Sequence, residues 1–134
     1  MELNGETLRF IREHCKDDVR SLALQAPKYP GVDMPVALTQ IAGRQAAAEK
    51  IPSWHEEEGV LYPRHLSLEQ CSSEATARYK ASIIPGSSSG TLTDLTGGFG
   101  IDCAFLSPRF HHVTYVERQE VLCEIASHNF PLLG

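Results

Sequence analysis

The stretch Thr91-Leu-Thr-Asp-Leu-Thr-Gly-Gly-Phe-Gly100, followed by Ile101-Asp-Cys-Ala-Phe-Leu106, constrains the fold more than any other part of the chain. Thr91 to Leu95 are β-branched or apolar residues broken by one acid, the composition of a strand entering a sheet. Gly97, Gly98 and Gly100 then permit positive φ and put no side chain between the backbone and a ligand. Ile101 to Leu106 resumes as a short apolar helix. The segment reads as strand, tight turn and helix.

Spacing separates the nucleotide-binding designs that use such a turn. The phosphate-cradling loop ends in Gly-Lys-Ser/Thr, and no such ending is present. The dinucleotide pattern G-x-G-x-x-G can start at Gly98 and Gly100, but its third position is then Cys103, where close helix–strand packing asks for Gly or Ala. A second strand-like run, His112-Val-Thr-Tyr-Val-Glu-Arg118, also ends in an acid, and Glu117 follows Asp94 by 23 positions. A carboxylate there, at the carboxyl end of the neighbouring strand, is placed to accept hydrogen bonds from both hydroxyls of a ribose. NAD and S-adenosylmethionine both carry an adenosine, so Glu117 suits either.

The order of residues in the turn resembles the first motif of class I S-adenosylmethionine-dependent methyltransferases, acid-x-Gly-x-Gly-x-Gly. Asp94, Gly98 and Gly100 occupy the acid and the last two glycine positions, and Thr96 stands in place of the first glycine. The resemblance implies a cofactor site of Asp94, Thr96, Gly97, Gly98, Gly100 and Glu117, with S-adenosyl-L-methionine as cofactor; the spacing of cysteines and histidines offers no metal site. A pyrophosphate benefits from bare helix-terminal N–H groups, whereas a methionine zwitterion also needs an acceptor for its ammonium. Asp94 can supply that acceptor, directly or through water.

The 134 residues fit one domain by length, and 42% hydrophobic content suffices for a core. A net charge of −5 gives no basic footprint for nucleic acid on this segment. No apolar run approaches the ~20 residues of a membrane span, and no basic start leads into an apolar leader, so the expected location is cytoplasmic with no membrane contact. Cys15, Cys71, Cys103 and Cys123 form no C-x-x-C pair, which points to buried free thiols rather than zinc or a redox site.

Residues 4–26 carry Leu8, Ile11, Cys15, Val19 and Leu22 at helical spacing, with Asn4 as N-cap. Asp17 and Asp18 could restart a second helix, and the pattern leaves one helix or two open. A helix from Asp33 to Lys50 follows, with Pro35 in its first turn. Its Gln40 and Arg44, next to Gln45, are expected on a solvated face. Between Ile51 and Leu66 regular structure should lapse into a connector or clamp, with Trp54 buried against a neighbouring helix. Ser67-Leu-Glu-Gln70 has the form of a capping box for a helix running to about Ile84, with Leu68, Cys71, Ala75 and Tyr79 inward. Pro85 to Gly90 ends it in a flexible turn. After the second strand, residues 118–130 place Val121, Leu122, Ile125 and Ala126 at helical spacing.

The fold class expected is therefore α/β: a helical N-terminal region and connector over 1–66, then over 67–134 a capping helix and the first β-α-β-α units of a Rossmann-like parallel sheet. Leu38-Thr-Gln-Ile-Ala-Gly-Arg44 and Leu68-Glu-Gln-Cys-Ser-Ser-Glu-Ala-Thr-Ala-Arg78, ahead of Asp94, also resemble bacterial class I methyltransferases that carry a C-terminal THUMP-like domain. The match is loose before Leu66 and more specific from Ser67 to Phe130. It implies the N-terminal portion of such an enzyme, truncated before its later strands, with RNA as the acceptor class that a THUMP-like domain suggests. The chain alone is then expected to be inactive and, with its strand edges open, to be cut from a longer protein or to form a homodimer. His111 and His112 precede the second strand, away from its ligand-binding end, and no general base is assigned. A nicotinamide-dependent oxidoreductase half-domain and a noncatalytic helical interaction module are the competing classes.

Overall fold

Short polar caps start the helices of the N-terminal region. The computed structural model describes residues 3–84 and 90–134, so most of the expected Pro85-to-Gly90 turn lies outside the described residues. Asn4 caps α1 (Gly5–Glu13) by accepting from the Thr7 N–H at 2.8 Å, and Asp18 caps α2 (Val19–Leu24) by accepting from the Ser21 N–H at 3.1 Å. Residues 4–26 thus make two helices, with His14 and Asp17 paired at 2.6 Å in the turn between them. Asp33 caps α3 (Met34–Lys50), and Pro35 sits in its first turn, where a missing N–H is tolerated. Phe10, Leu22, Met34, Ala37 and Ile41 form the core these helices share. The expected stripe fails at Leu8, which is 44% exposed, because Thr7 and Phe10 turn inward instead. Thr7 is tolerated there because its hydroxyl accepts from the Asp33 N–H at 3.0 Å.

Gln40 is buried, contrary to the solvated face expected for it. Its carboxamide donates to the Tyr62 carbonyl at 3.0 Å and accepts from the Tyr62 N–H at 2.8 Å. Arg44 is half-buried and donates to the Glu58 carbonyl at 2.7 Å, while exposed Gln45 donates to the Cys15 and Asp17 carbonyls. From the other side, buried Asn129 donates to the Leu61 carbonyl and accepts from the Leu61 N–H, both at 2.8 Å. Two carboxamides therefore clamp the irregular connector between α4 (Pro52–His55) and α5 (His65–Gln70).

The capping box at Ser67 does not start a helix. α5 begins earlier, at His65, and stops at Gln70, and a separate α6 (Glu74–Ser82) begins after Ser73, whose hydroxyl accepts from the Thr76 N–H at 3.2 Å. Lys50 makes the break affordable by donating to the Leu68 and Glu69 carbonyls at 2.7 and 2.9 Å, so the end of α5 is satisfied. The break re-aims the second half: Ala77 is buried, whereas Ala75 and Tyr79 are exposed.

Strands β1 (Thr91–Asp94) and β2 (His112–Tyr115) pair in parallel, Thr91 opposite His112 and Asp94 opposite Tyr115, with α7 (Ile101–Leu106) between them in sequence. The ladder continues past both strands, the Val116 N–H donating to the Asp94 carbonyl and the Gly97 N–H to the Val116 carbonyl at 2.9 and 2.8 Å. α8 (Glu120–Leu133) follows, burying Leu122, Ile125, Ala126 and Asn129. Val121 is 56% exposed, so it is not part of the buried stripe. The described residues are mostly helical around this two-stranded sheet. One core cluster joins Ile51, Trp54 and Tyr62 to Leu68, Phe99, Ile101 and Ile125. Of the four free cysteines, Cys103 alone is buried and the others are half-buried. No helix among the described residues is long and apolar enough to cross a membrane.

Candidate cofactor site

Asp94 closes β1 and shapes the turn that follows. Its Oδ1 accepts from the Thr96 N–H at 3.0 Å, the local bond by which an aspartate sets a tight turn, and the Cys103 thiol donates to Oδ2 at 3.5 Å. Burial, and next the Asp94 carboxylate, push the Cys103 thiol up to about 12, so it stays protonated.

Each glycine of the turn answers a different demand. A Cβ on Gly97 would overlap the Tyr115 ring, whose hydroxyl donates to the Gly98 carbonyl at 2.5 Å. Gly100 has φ +93°, and a Cβ there would lie 2.7 Å from the Phe130 ring. Gly98 has φ +55°, yet a Cβ would meet nothing nearer than the Thr96 carbonyl oxygen at 3.8 Å. Gly98 is also one of the residues that line a cleft. Between these glycines Phe99 is 2% exposed and packs against Trp54 and Tyr62, with ring centroids 5.0 and 5.9 Å away. The loop is thereby anchored to the helical region.

Glu117, two residues past β2, binds the loop from the other side. Its Oε2 accepts from the Gln119 N–H at 2.6 Å and its Oε1 from the Gly98 N–H at 3.0 Å. Those bonds, the Gln119 N–H foremost, hold its carboxyl below the usual carboxylate range.

A cleft of about 220 Å³ lies between this loop and the end of α5. Thr96, Gly97, Gly98, Gly100 and Glu117 all line it. Asp94 does not, being turned under the loop onto the Thr96 amide. The opposite wall is Ser67, Gln70, Cys71 and Ser72, with Asp102 and Gln119 completing the rim. Sequence spacing gave no reason to bring the 67–72 segment to the glycine turn; the break after Gln70 does so. Burial pushes the Cys71 thiol up, so that residue is not a reactive thiolate. Lys80 reaches this wall from α6, donating to the Ser72 hydroxyl at 3.0 Å and to Asp102 Oδ2 and Oδ1 at 3.1 and 3.4 Å. A second cleft of about 530 Å³ adjoins the first through Ser67, Gln119 and Leu122, lined by Val36, Tyr62, Pro63 and Val121 among others. His111 and His112 are exposed at the far end of β2, and His128 Nε2 lies 2.8 Å from the Gly59 carbonyl oxygen.

No family model matches the chain, and a search of curated proteins found no match. Among solved structures, the chain is similar to a putative methyltransferase from Porphyromonas gingivalis W83, with a TM-score of 0.76 and 30% sequence identity. The likeness covers 95% of this chain and 31% of that one, so the chain spans about a third of the length of the protein it matches. It supports a methyltransferase relationship.

Proposed function

We propose that the chain is the donor-binding part of an S-adenosylmethionine-dependent methyltransferase of class I, of the kind that carries a THUMP-like domain. In this reading residues 1–66 are the helical region and 67–134 the opening of the Rossmann-like domain. The observation that carries it is the bond from the Gly98 N–H to Glu117 Oε1 at 3.0 Å, which makes the glycine turn and the acid after β2 two sides of one cleft.

The residues present fit the cofactor. A carboxylate offers about four lone-pair sites, and Glu117 spends two on backbone amides, leaving one on each oxygen for a pair of ribose hydroxyls. Gly98 lines the cleft and leaves its Cβ direction empty, so it puts no side chain in the way of the donor. The 220 Å³ cleft is below the ~300–1,000 Å³ of common ligand sites, but it adjoins the 530 Å³ cleft, which gives the rest of the ligand room. When bound, S-adenosylmethionine supplies a methyl group on a sulfonium. The chain's own residues then serve to hold and orient, and in-line transfer asks for no nucleophile. Phe99 keeps the loop in place, and Glu117 fixes the ribose.

The acceptor belongs to the proposal as well. If it is RNA, its basic surface lies outside this chain, whose net charge is −5. The chain alone is proposed to bind the donor without turnover, and its open strand edges to permit self-association. Calorimetry with S-adenosylhomocysteine and with NADH tests the cofactor assignment. Heat of binding from S-adenosylhomocysteine alone is expected; binding of NADH in its place would overturn the reading.

A further inference from the structure

A cavity of about 300 Å³ shares no lining residue with the cofactor cleft. It lies among α1, α3, the connector and α8, and Leu3, Leu8, Ile11, Val60, Leu61 and Leu132 give it an apolar wall. Leu8, the residue of α1 that falls outside the buried stripe, is exposed here, as is Leu132. One permanent cation stands in this wall. Arg44 is half-buried, yet among the described residues no carboxylate lies within ion-pair distance of its guanidinium. Its bond to the Glu58 carbonyl at 2.7 Å spends one of five N–H groups. His128, on the same wall, is already committed through Nε2 to the Gly59 carbonyl at 2.8 Å. Charges withdrawn from water are ordinarily paired, so a guanidinium with donors to spare beside an apolar hollow has capacity for an anion.

We propose that this cavity binds a small amphipathic carboxylate, an organic acid whose head meets Arg44 and whose apolar body fills the space that the leucines line. A planar carboxylate matches the guanidinium fork with two parallel bonds, a fit that an alcohol or an amine lacks. The body supplies the rest of the affinity, since each CH₂ taken out of water is worth up to about fourfold in binding. At about 300 Å³ the cavity stands at the lower end of the ~300–1,000 Å³ of common ligand sites, which suits a short chain or a single ring. Glu58 also lines it and is exposed, so a monoanion is favoured over a phosphate dianion, which would bring a second negative charge beside that carboxylate. The site stands apart from the donor-binding reading, and either can fail without the other.

Octanoate is the probe, with octan-1-ol and octylammonium as the same chain under a neutral and a cationic head, and hexanoate as a shorter acid. Amide NMR of the 15N-labelled 134-residue protein both locates binding and gives affinities. Octanoate should shift Ile11, Gly59, Val60 and Leu61 most, bind at least about tenfold more tightly than the alcohol or the amine, and exceed hexanoate by more than about fourfold. Arg44→Gln should weaken octanoate about tenfold and leave octan-1-ol within about twofold. Leu8→Ser, at an exposed position, should weaken both. Where Arg44→Gln fails to fold, the ranking of the three heads on the wild-type protein decides. Equal affinity for the three heads, or an unchanged octanoate affinity in folded Arg44→Gln, overturns the pairing with Arg44 and the proposal with it. Shifts centred away from α1 and the connector, or none below the micellar concentration of octanoate, overturn the site itself.

Discussion

Trp54 meets Phe99 edge to face with ring centroids 5.0 Å apart, and so ties α4 to the middle residue of the glycine turn. Both are nearly fully buried, Phe99 between two glycines that line the cleft. Packing set more than 40 residues earlier in the chain therefore fixes where the Gly98 amide points. Trp54 is also the sole tryptophan, so its emission reports on this contact.

Phe99→Ala removes the anchor. Truncating a buried phenylalanine costs about 3–5 kcal/mol, and the loop it leaves should also hold ligand less well. Urea denaturation followed by Trp54 emission should show a markedly lower midpoint. A midpoint equal to wild type would mean the loop is held by its ladder bonds alone.

The neighbouring glycines should separate stability from binding. Gly97→Ala sets a methyl against the Tyr115 ring, which is fixed by its bond to the Gly98 carbonyl, and overpacking of this kind costs about 1–3 kcal/mol. Beyond its chain neighbours, a methyl at Gly98 meets nothing nearer than the Thr96 carbonyl oxygen at 3.8 Å, so Gly98→Ala carries only the ~1–2 kcal/mol of a left-handed alanine. Because Gly98 lines the cleft, affinity for S-adenosylhomocysteine should fall further than stability does. Equal affinity in wild type and Gly98→Ala would remove Gly98 from the ligand's path.

What was legible in the sequence was what local chemistry decides. The run of β-branched residues, the three glycines and Asn4, Asp33 and Glu117 each announce a conformation or the end of an element within a few residues. Gln40 is not legible because its partner, Tyr62, lies 22 residues away, and periodicity carries no trace of a non-local bond that satisfies a buried amide. The break that follows Ser67 is illegible for a related reason: the end of α5 depends on Lys50, 18 residues before the Leu68 carbonyl it binds. The 67–72 wall of the cleft depends on the same break and is illegible with it. Ser73, the cap that does start α6, had a local signal in the Glu74 and Thr76 beside it.

The clamp on the connector can be tested at either end. Asn129→Ala leaves the Leu61 N–H and carbonyl without their partner, and Gln40→Ala does the same to Tyr62. An unsatisfied buried group costs about 1–3 kcal/mol, so each variant should lose at least that much in urea denaturation. Losses under half a kcal/mol would mean that water replaces the carboxamides.

The lowered pKa of Glu117 predicts a pH dependence with a definite sign. A carboxyl depressed in the folded state adds stability above its unfolded value, ~4.3 for glutamate, and loses it as pH falls through the folded value. The stability difference between wild type and Glu117→Gln should thus be level at neutral pH and shrink as the solution is acidified below that range. A difference that grows on acidification would contradict the bonds to Gly98 and Gln119.

Amide NMR of the 15N-labelled chain during titration with S-adenosylhomocysteine tests the central claim most directly, because it reads where the ligand lands as well as whether it binds. The largest shifts are predicted at Gly98 and Gln119, the two amides held by Glu117, with smaller ones along 96–100 and 67–72. Shifts centred instead on the cleft of Leu8, Ile11 and Val60, or no shifts at saturating ligand, would contradict it.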